Sequence, residues 1–327
     1  MIYNRSTGEI TQEKVYENRA MRFLYSTTLG GLCVLILRLP IMSRIYGAFQ
    51  ETKRSKAKIN AMIKNYEIDM NEYEECDSGD GTFLLTFDRK IKQKLTKTYR
   101  PHCHKENYNR RNAETYANKY SSFNDFIIRK RLHTNYCAEI DILIAPADSC
   151  ALAYTIDENS MLSIKNRSYT LSRFLKDDSL AREYGGGIFL VFRLRVYDYH
   201  RFCFVDDGFV VSSKKVNGFL DSVNMDATGR FALSSNYREI SLLRTSNFGN
   251  IVFAEVGAML VGRIVQTHCG ADFRKGDEKG YFEFGGSSIV MILKKGSARI
   301  DADIMAHSAK GIETKVNLGE RIGMKRA

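Results

Sequence analysis

The chain has 327 residues, 44% of them hydrophobic, and its 49 Lys and Arg outweigh 38 Asp and Glu for a formal charge of +11. That length and apolar content allow one large or two small packed domains and argue against a disordered chain. A pI near 9.2 points to anionic partners, either nucleic acid or acidic lipid headgroups, and charge alone does not choose between them.

In chain order, residues 1–70 read as mainly helical. Glu13 to Tyr25 is of mixed polarity, and Leu29 to Phe49 is apolar apart from Arg38 and Arg44. The longest unbroken apolar run, Leu32 to Leu37, is far short of the about 20 residues a spanning helix needs. Arg5, Glu9, Glu13 and Lys14 before it do not fit a secretory leader. From Lys53 to Lys64 the chain is lysine-rich, with Ile59, Met62 and Ile63 at helical spacing. An apolar segment beside a basic one suits either an interfacial anchor on an anionic bilayer or an amphipathic helix packed on the body.

Residues 71–120 form a basic insertion. A turn-rich patch at Asp77–Gly81 and a short strand candidate at Phe83 to Phe87 precede Arg89 to Arg111, which holds nine Lys or Arg and one acid, Glu106. With Tyr99 and Tyr108 interleaved, the stretch could contact RNA, but a solvated or lipid-facing insertion is the commoner use of such composition. His102, Cys103 and His104 lack a second ligand cluster and do not make a metal site.

From Ala138 the texture changes to strand and turn. Strands are expected at Ile140–Ala145, Ala151–Tyr154, Gly187–Val196, Phe202–Val205, Phe209–Val211, Ile251–Val265 and Ile289–Leu293, with short helices at Ser122–Leu132 and Tyr169–Leu175. The fold class is therefore α+β, with a helical N-terminal part followed by a β-rich domain over residues 121–327. Seven cysteines, at 33, 76, 103, 137, 150, 203 and 269, have no paired spacing and fit free thiols in a reducing compartment.

The stretch that organises the rest is Tyr281-Phe282-Glu283-Phe284-Gly285-Gly286-Ser287-Ser288, followed by Ile289 to Leu293. Paired glycines in a strand pattern mark a bend or a close approach of backbone. The next residue carries a hydroxyl, and one use of such geometry is attack by Ser287 on the carbonyl of Gly286. The alternative is a Gly-Gly bulge followed by two ordinary strand serines.

In company this stretch resembles the cleavage site of the phosphatidylserine decarboxylase family, whose members read Phe-Gly-Gly-Ser-Thr before an apolar run. The resemblance also takes in Tyr3-Asn4-Arg5, Phe123-Asn124-Asp125-Phe126, Arg129-Lys130, Pro146-Ala147-Asp148, Asp198-Tyr199-His200-Arg201-Phe202, Asn247-Phe248-Gly249, Glu255-Val256-Gly257-Ala258, Gly276-Asp277-Glu278-Lys279-Gly280 and Gly319-Glu320, in the same order. It implies a proenzyme that cuts itself between Gly286 and Ser287 by way of an ester, elimination and hydrolysis. Ser287 thereby becomes a pyruvoyl group that takes the amine of phosphatidylserine as a Schiff base and serves as electron sink for loss of CO2. It further implies that Asp148 orients a histidine, that His200 serves near the substrate, and that the large and small fragments remain together as a heterodimer, with homo-oligomerisation left open. The expected setting is the cytoplasmic face of an anionic membrane, bound peripherally, with no nucleic acid.

One departure stands out. The family motif reads Asp-Tyr-His-Arg-x-His, and here the second histidine is Cys203. A thiol is a poor proton shuttle beside an imidazole. Either His200 performs both duties or the chain is an uncleaved, lipid-binding relative; if position 203 is the relay position, Cys203→His should speed self-cleavage. The sequence yields one prediction directly: Ser287→Ala should remain a single polypeptide on denaturing gels and form no ethanolamine lipid, while Ser288→Ala should still be cut.

Overall fold

A computed structural model of the protein describes residues 1–13, 27, 33, 36–74, 118–164, 167–221, 232–259, 263–284 and 287–326. Most of Glu13 to Tyr25, Leu32, Val34 and Leu35 of the apolar run, the patch at Asp77–Gly81, the strand expected at Phe83 to Phe87, the Arg89 to Arg111 stretch, His102 to His104, Gly285 and Gly286 lie outside the described residues.

The strands are β1 (Ile2–Asn4), β2 (Glu9–Thr11), β3 (Ile142–Ile144), β4 (Ser149–Thr155), β5 (Met161–Ile164), β6 (Arg167–Thr170), β7 (Ile188–Leu194), β8 (Arg201–Cys203), β9 (Gly208–Val216), β10 (Arg238–Thr245), β11 (Gly249–Val256), β12 (Ile264–Gln266), β13 (Asp272–Phe273), β14 (Glu278–Phe282), β15 (Ser287–Leu293), β16 (Ala298–Ile300), β17 (Glu313–Val316) and β18 (Arg321–Lys325). The principal sheet runs β13-β9-β10-β11-β15-β7-β4-β17-β1-β2. Its pairings are antiparallel except β1 with β17.

β15 and β7 read as almost continuous apolar runs because both faces of this part of the sheet are covered, and alternation disappears when neither face meets water. On one face Ile289, Met291 and Leu293 join Phe192, Phe253, Phe202 and Phe282 in the larger core. On the other, Val290 and Ile292 join Val252, Phe189, Leu162 and Phe174. Each large side chain so buried contributes about 1.5–3 kcal/mol. The first face is roofed by a small sheet in the order β12-β14-β8, and the second by the β5–β6 hairpin and the helices Leu171–Leu175 and Asp178–Glu183. Both helices start on a side-chain cap, from Thr170 to Arg173 N and from Asp177 to Leu180 N.

The expectation of a helical first 70 residues holds for part of that range only. Helices span Pro40–Gln50 and Ala57–Tyr66, but the chain starts with β1, whose partner is β17 some 310 residues away. Tyr3 stacks on His307 at 3.9 Å, and Arg5 meets Asp301, Asp303 and Glu320. Three-residue strands carry no local periodicity, so this docking is set by distant partners. The Pro40–Gln50 helix also packs on the body. Ser43 and Gln50 are buried, and a side chain at Gly47 would sit only 2.5 Å from the Phe284 ring.

The expected strand Ile251–Val265 is two strands, β11 and β12, in different sheets. The Ser122–Leu132 helix is one short turn, Phe123–Ile127, capped by Ser122. The roof depends on close approach at Gly280, where a Cβ would overlap the Val265 carbonyl oxygen and lie 2.9 Å from Phe202. Gly280→Ala should therefore destabilise the fold by about 1–3 kcal/mol, read as a lower midpoint in thermal unfolding.

Candidate active site

Ser287 opens β15, opposite Leu194 of β7. It is fully buried, and its Oγ has no hydrogen-bond partner among the described residues. A dry, unpaired hydroxyl is unusual, because leaving a polar group unsatisfied costs about 1–3 kcal/mol. Just upstream, Phe284 holds φ at +70°, a region a bulky side chain enters only under strain. Two contacts fix it there: its N–H donates to Asn124 Oδ1 at 3.1 Å, and its ring lies on Gly47. Asn124 is in turn placed by the Phe123–Ile127 turn, whose Phe123 N–H donates to Ser55 Oγ at 2.8 Å.

His200 approaches from the roof. The Phe282 N–H donates to its carbonyl at 3.0 Å, so it sits at the end of the β8–β14 pair nearest Ser287. Phe202, of the same parity, packs on Phe253 and Phe282, and strand alternation therefore turns His200 toward the principal sheet as well. Its Nε2 lies 3.2 Å from the Val196 carbonyl, which takes the N–H and leaves Nδ1 as the lone-pair nitrogen. Nδ1 is buried and has no hydrogen-bond partner among the described residues. Burial, with Arg129 nearby, pushes the imidazole down to about 4, against the pull of Val196 and Asp198. It is therefore neutral and able to accept a proton throughout the physiological range. Arg129 secures this segment by donating to the carbonyls of Phe126, Tyr197 and Asp198.

Cys203 lies elsewhere. It pairs with Glu278 at the far end of β14, three residues and about 10 Å along the strand from His200, and faces the opposite way, with Sγ 4.0 Å from the Ala145 carbonyl. Burial pushes its thiol up to about 12, so it is neither base nor nucleophile near neutrality. Asp148 is on that same side. Arg131 grips its carboxylate in two hydrogen bonds of 3.1 and 2.5 Å, and the Leu318 N–H donates to it at 2.8 Å. Ser287 thus lies on the face of the principal sheet that the roof covers and His200 lies in the roof beside Phe282, whereas the hydrogen bonds of Asp148 go to Arg131 and Leu318. Arg131 lies over the Tyr199 ring at 4.7 Å, which links Asp148 to the segment carrying His200. His268 and Cys269 are adjacent in sequence but partly exposed, and the histidine contacts the Asp272 carbonyl.

The profile of the phosphatidylserine decarboxylase family matches residues 123–324. The chain belongs to the phosphatidylserine decarboxylase family. This is a family of carboxy-lyases, and the similarity extends over the whole chain. It is 40% identical over 326 residues to phosphatidylserine decarboxylase proenzyme 2 of Clostridium acetobutylicum, covering 98% of this chain and 97% of the relative. Identity is 35% over 329 residues to the phosphatidylserine decarboxylase proenzyme of Clostridium tetani, covering 99% and 98%. It is also 35% over 329 residues to that of Ruminiclostridium cellulolyticum, covering 98% and 96%. None of these matches supports reading this family member as an impaired, uncleaved relative.

Sequence reasoning quoted Asn124, Arg129, Glu255 and Lys279 in motifs without assigning them roles. Glu255 carried its own signal: a single acid inside the apolar run Ile251 to Val256 must find a buried partner, and it does so in Lys279 at 2.6 Å.

The geometry revises the expectation for position 203. Cys203→His inserts an imidazole into a filled space on the wrong side of β8, so it should not accelerate self-cleavage and should lower stability by about 1–3 kcal/mol. A processing time course beside a thermal melt checks both. Because His200 loses its lone pair only as the pH falls toward about 4, the cleavage rate should stay flat from roughly pH 6 to 8, where an ordinary histidine would titrate.

Proposed function

We propose that the protein is a proenzyme that cuts itself between Gly286 and Ser287, converts Ser287 to a pyruvoyl group, and then removes CO2 from phosphatidylserine to give phosphatidylethanolamine. The observation that carries this reading is the pair of fully buried polar atoms, Ser287 Oγ and His200 Nδ1, neither with a hydrogen-bond partner among the described residues. The residues fit the group: the Ser287 hydroxyl that must attack Gly286 is buried, and Phe284 upstream is held in strained backbone. When formed, the pyruvoyl group supplies the electron sink for decarboxylation. The chain's own part is to let His200 take the Ser287 proton while the Val196 carbonyl holds the ring in the required tautomer. In the mature form the same imidazole is placed to return a proton at the reacting carbon. Asp148 acts at one remove, by fixing Arg131 and through it Tyr199.

A cavity of about 650 Å³ beside Phe284 supports the lipid substrate. Arg44 and Arg263 on its wall suit a phosphodiester, and Tyr237 and Leu220 lie among its other lining residues. The Pro40–Gln50 helix forms one wall and turns Ile41, Ile45 and Phe49 outward, at 55%, 58% and 46% exposure, with Lys53 and Arg54 following at once. An apolar stripe with adjacent cations is the pattern of a helix lying in a bilayer interface. No helix among the described residues is long and apolar enough to cross a membrane. We therefore place the protein peripherally, on the cytoplasmic face of an anionic membrane.

Two measurements test this reading. Intact mass of the purified protein should give two fragments, the smaller starting at residue 287 with a blocked N-terminus, and His200→Ala should remain uncut. Ile45→Glu with Phe49→Glu should reduce sedimentation with phosphatidylserine vesicles. High salt should weaken wild-type binding, and Arg44→Ala with Arg263→Ala should raise KM more than it lowers kcat. An uncut wild-type chain overturns the processing step; equal binding to neutral and anionic vesicles at low salt overturns the electrostatic part.

A further inference from the structure

A third orphaned polar atom lies in the same interlayer space. Glu255 of β11 is completely buried. Its Oε1 accepts from Lys279 Nζ at 2.6 Å, while its Oε2 has no partner among the described residues. Glu255 is directly opposite Ile289 of β15, so Ser287, two residues earlier, is its diagonal neighbour. Diagonal pairs on one face stand about 7–8 Å apart at the Cα–Cβ level, within reach of a long side chain. The face is shared, since Phe253 and Ile289 belong to the same core. Lys279 holds the carboxyl in place: it also donates to Gln266 Oε1 at 2.9 Å and sits 5.3 Å from the Phe253 ring centre. Burial raises the affinity of Glu255 for a proton above that of an ordinary glutamate, against the pull of Lys279.

Self-cleavage requires two separate proton transfers. His200 serves the first, the removal of the Ser287 hydroxyl proton as Oγ bonds to the Gly286 carbonyl carbon. The amide C–N bond breaks and the nitrogen recovers a proton, leaving an ester. The second removes the Cα hydrogen of residue 287, so that the Cβ–Oγ bond breaks and Gly286 departs as a carboxylate. We propose that Glu255 is the base for this second transfer, a role that rests on reading Ser287 as the cleavage residue. Its carboxylate takes the Cα hydrogen and returns it to Cβ as the enamine becomes an imine, which water then converts to the ketone with release of ammonia. The glutamate finishes as it began, and no oxidant or other reactant beyond water is used. A buried carboxyl with one oxygen anchored by a lysine and the other free suits a group that must pick up one proton and give it back.

The test uses full-length proenzyme made by cell-free synthesis and followed from time zero on denaturing gels, with and without hydroxylamine, which splits esters. Glu255→Gln should slow spontaneous cleavage by about 10²-fold or more, while hydroxylamine should cut the accumulated ester between residues 286 and 287. Because removing one member of a buried ion pair can prevent folding, the uncharged double variant Glu255→Gln/Lys279→Met is run beside it and should behave in the same way. Cleavage of either folded variant at the wild-type rate overturns the proposal. So does a slow double variant that hydroxylamine leaves intact, because the block then lies before the ester. A wild-type chain that never cleaves strikes instead at the function proposed above.

Discussion

The face of β15 that bears Ser287 is buried from bulk solvent, and the rest of the site follows from that burial. The roof of β8, β12 and β14 presses Phe202 and Phe282 onto the principal sheet, so the few polar atoms that remain inside are left without solvent. In such surroundings an imidazole stays neutral, a carboxyl holds its proton more tightly, and a hydroxyl without a partner is raised in free energy. These are conditions that favour proton exchange among buried neighbours over structural hydrogen bonding. The aromatic packing is thus as much a part of the chemistry as the hydroxyl itself.

The charged side chains divide by location. Arg129, Arg131 and Arg238 spend their donors on backbone carbonyls or on Asp148 and lock loops in place. Lys279 points inward to Glu255, while Arg44 and Arg263 line the cavity wall. A chain with a large positive excess therefore uses its cations in three ways, and the sum of charge conveys none of this. The strained backbone at Phe284 is tied through Asn124 and Ser55 to the turn after the Pro40–Gln50 helix. The conformation just before Ser287 is thus coupled to the element that carries the exposed apolar stripe.

Much of the arrangement was legible in the sequence, and for identifiable reasons. The order of motifs pointed to the family, and β4, β7 and β15 announced themselves as apolar runs because both their faces are covered. Ser287 and His200 each stand in a specific motif, which is what singles them out as candidates. What escaped was whatever depends on distant pairing. β1 and β17 are too short to show a period, β10 mixes Arg238 and Glu239 into its start, and the split of Ile251–Val265 into two sheets has no local marker among the described residues. The substitution at Cys203 suggested an impaired relay because neighbours in a motif look equivalent on paper. Strand alternation separates them, turning His200 and Cys203 to opposite faces of β8, with Cys203 beside the Ala145 carbonyl. The partner of Asp148 was hidden because Arg131, though close in sequence, meets it only once the turn is folded.

The placement of β15 and β17 has a consequence for the proposed cut. A break before Ser287 leaves residues 287–327 as a separate chain, yet β15 lies between β11 and β7, and β17 between β4 and β1. β15 and β17 of the smaller piece are thus each flanked on both sides by strands of the larger one, β18 pairs with β3, and the very start of the chain closes over β17 in parallel. The two pieces are interdigitated rather than docked. Their separation is then not a dissociation governed by dilution but an unfolding event, and the new terminus stays at the position where it was made.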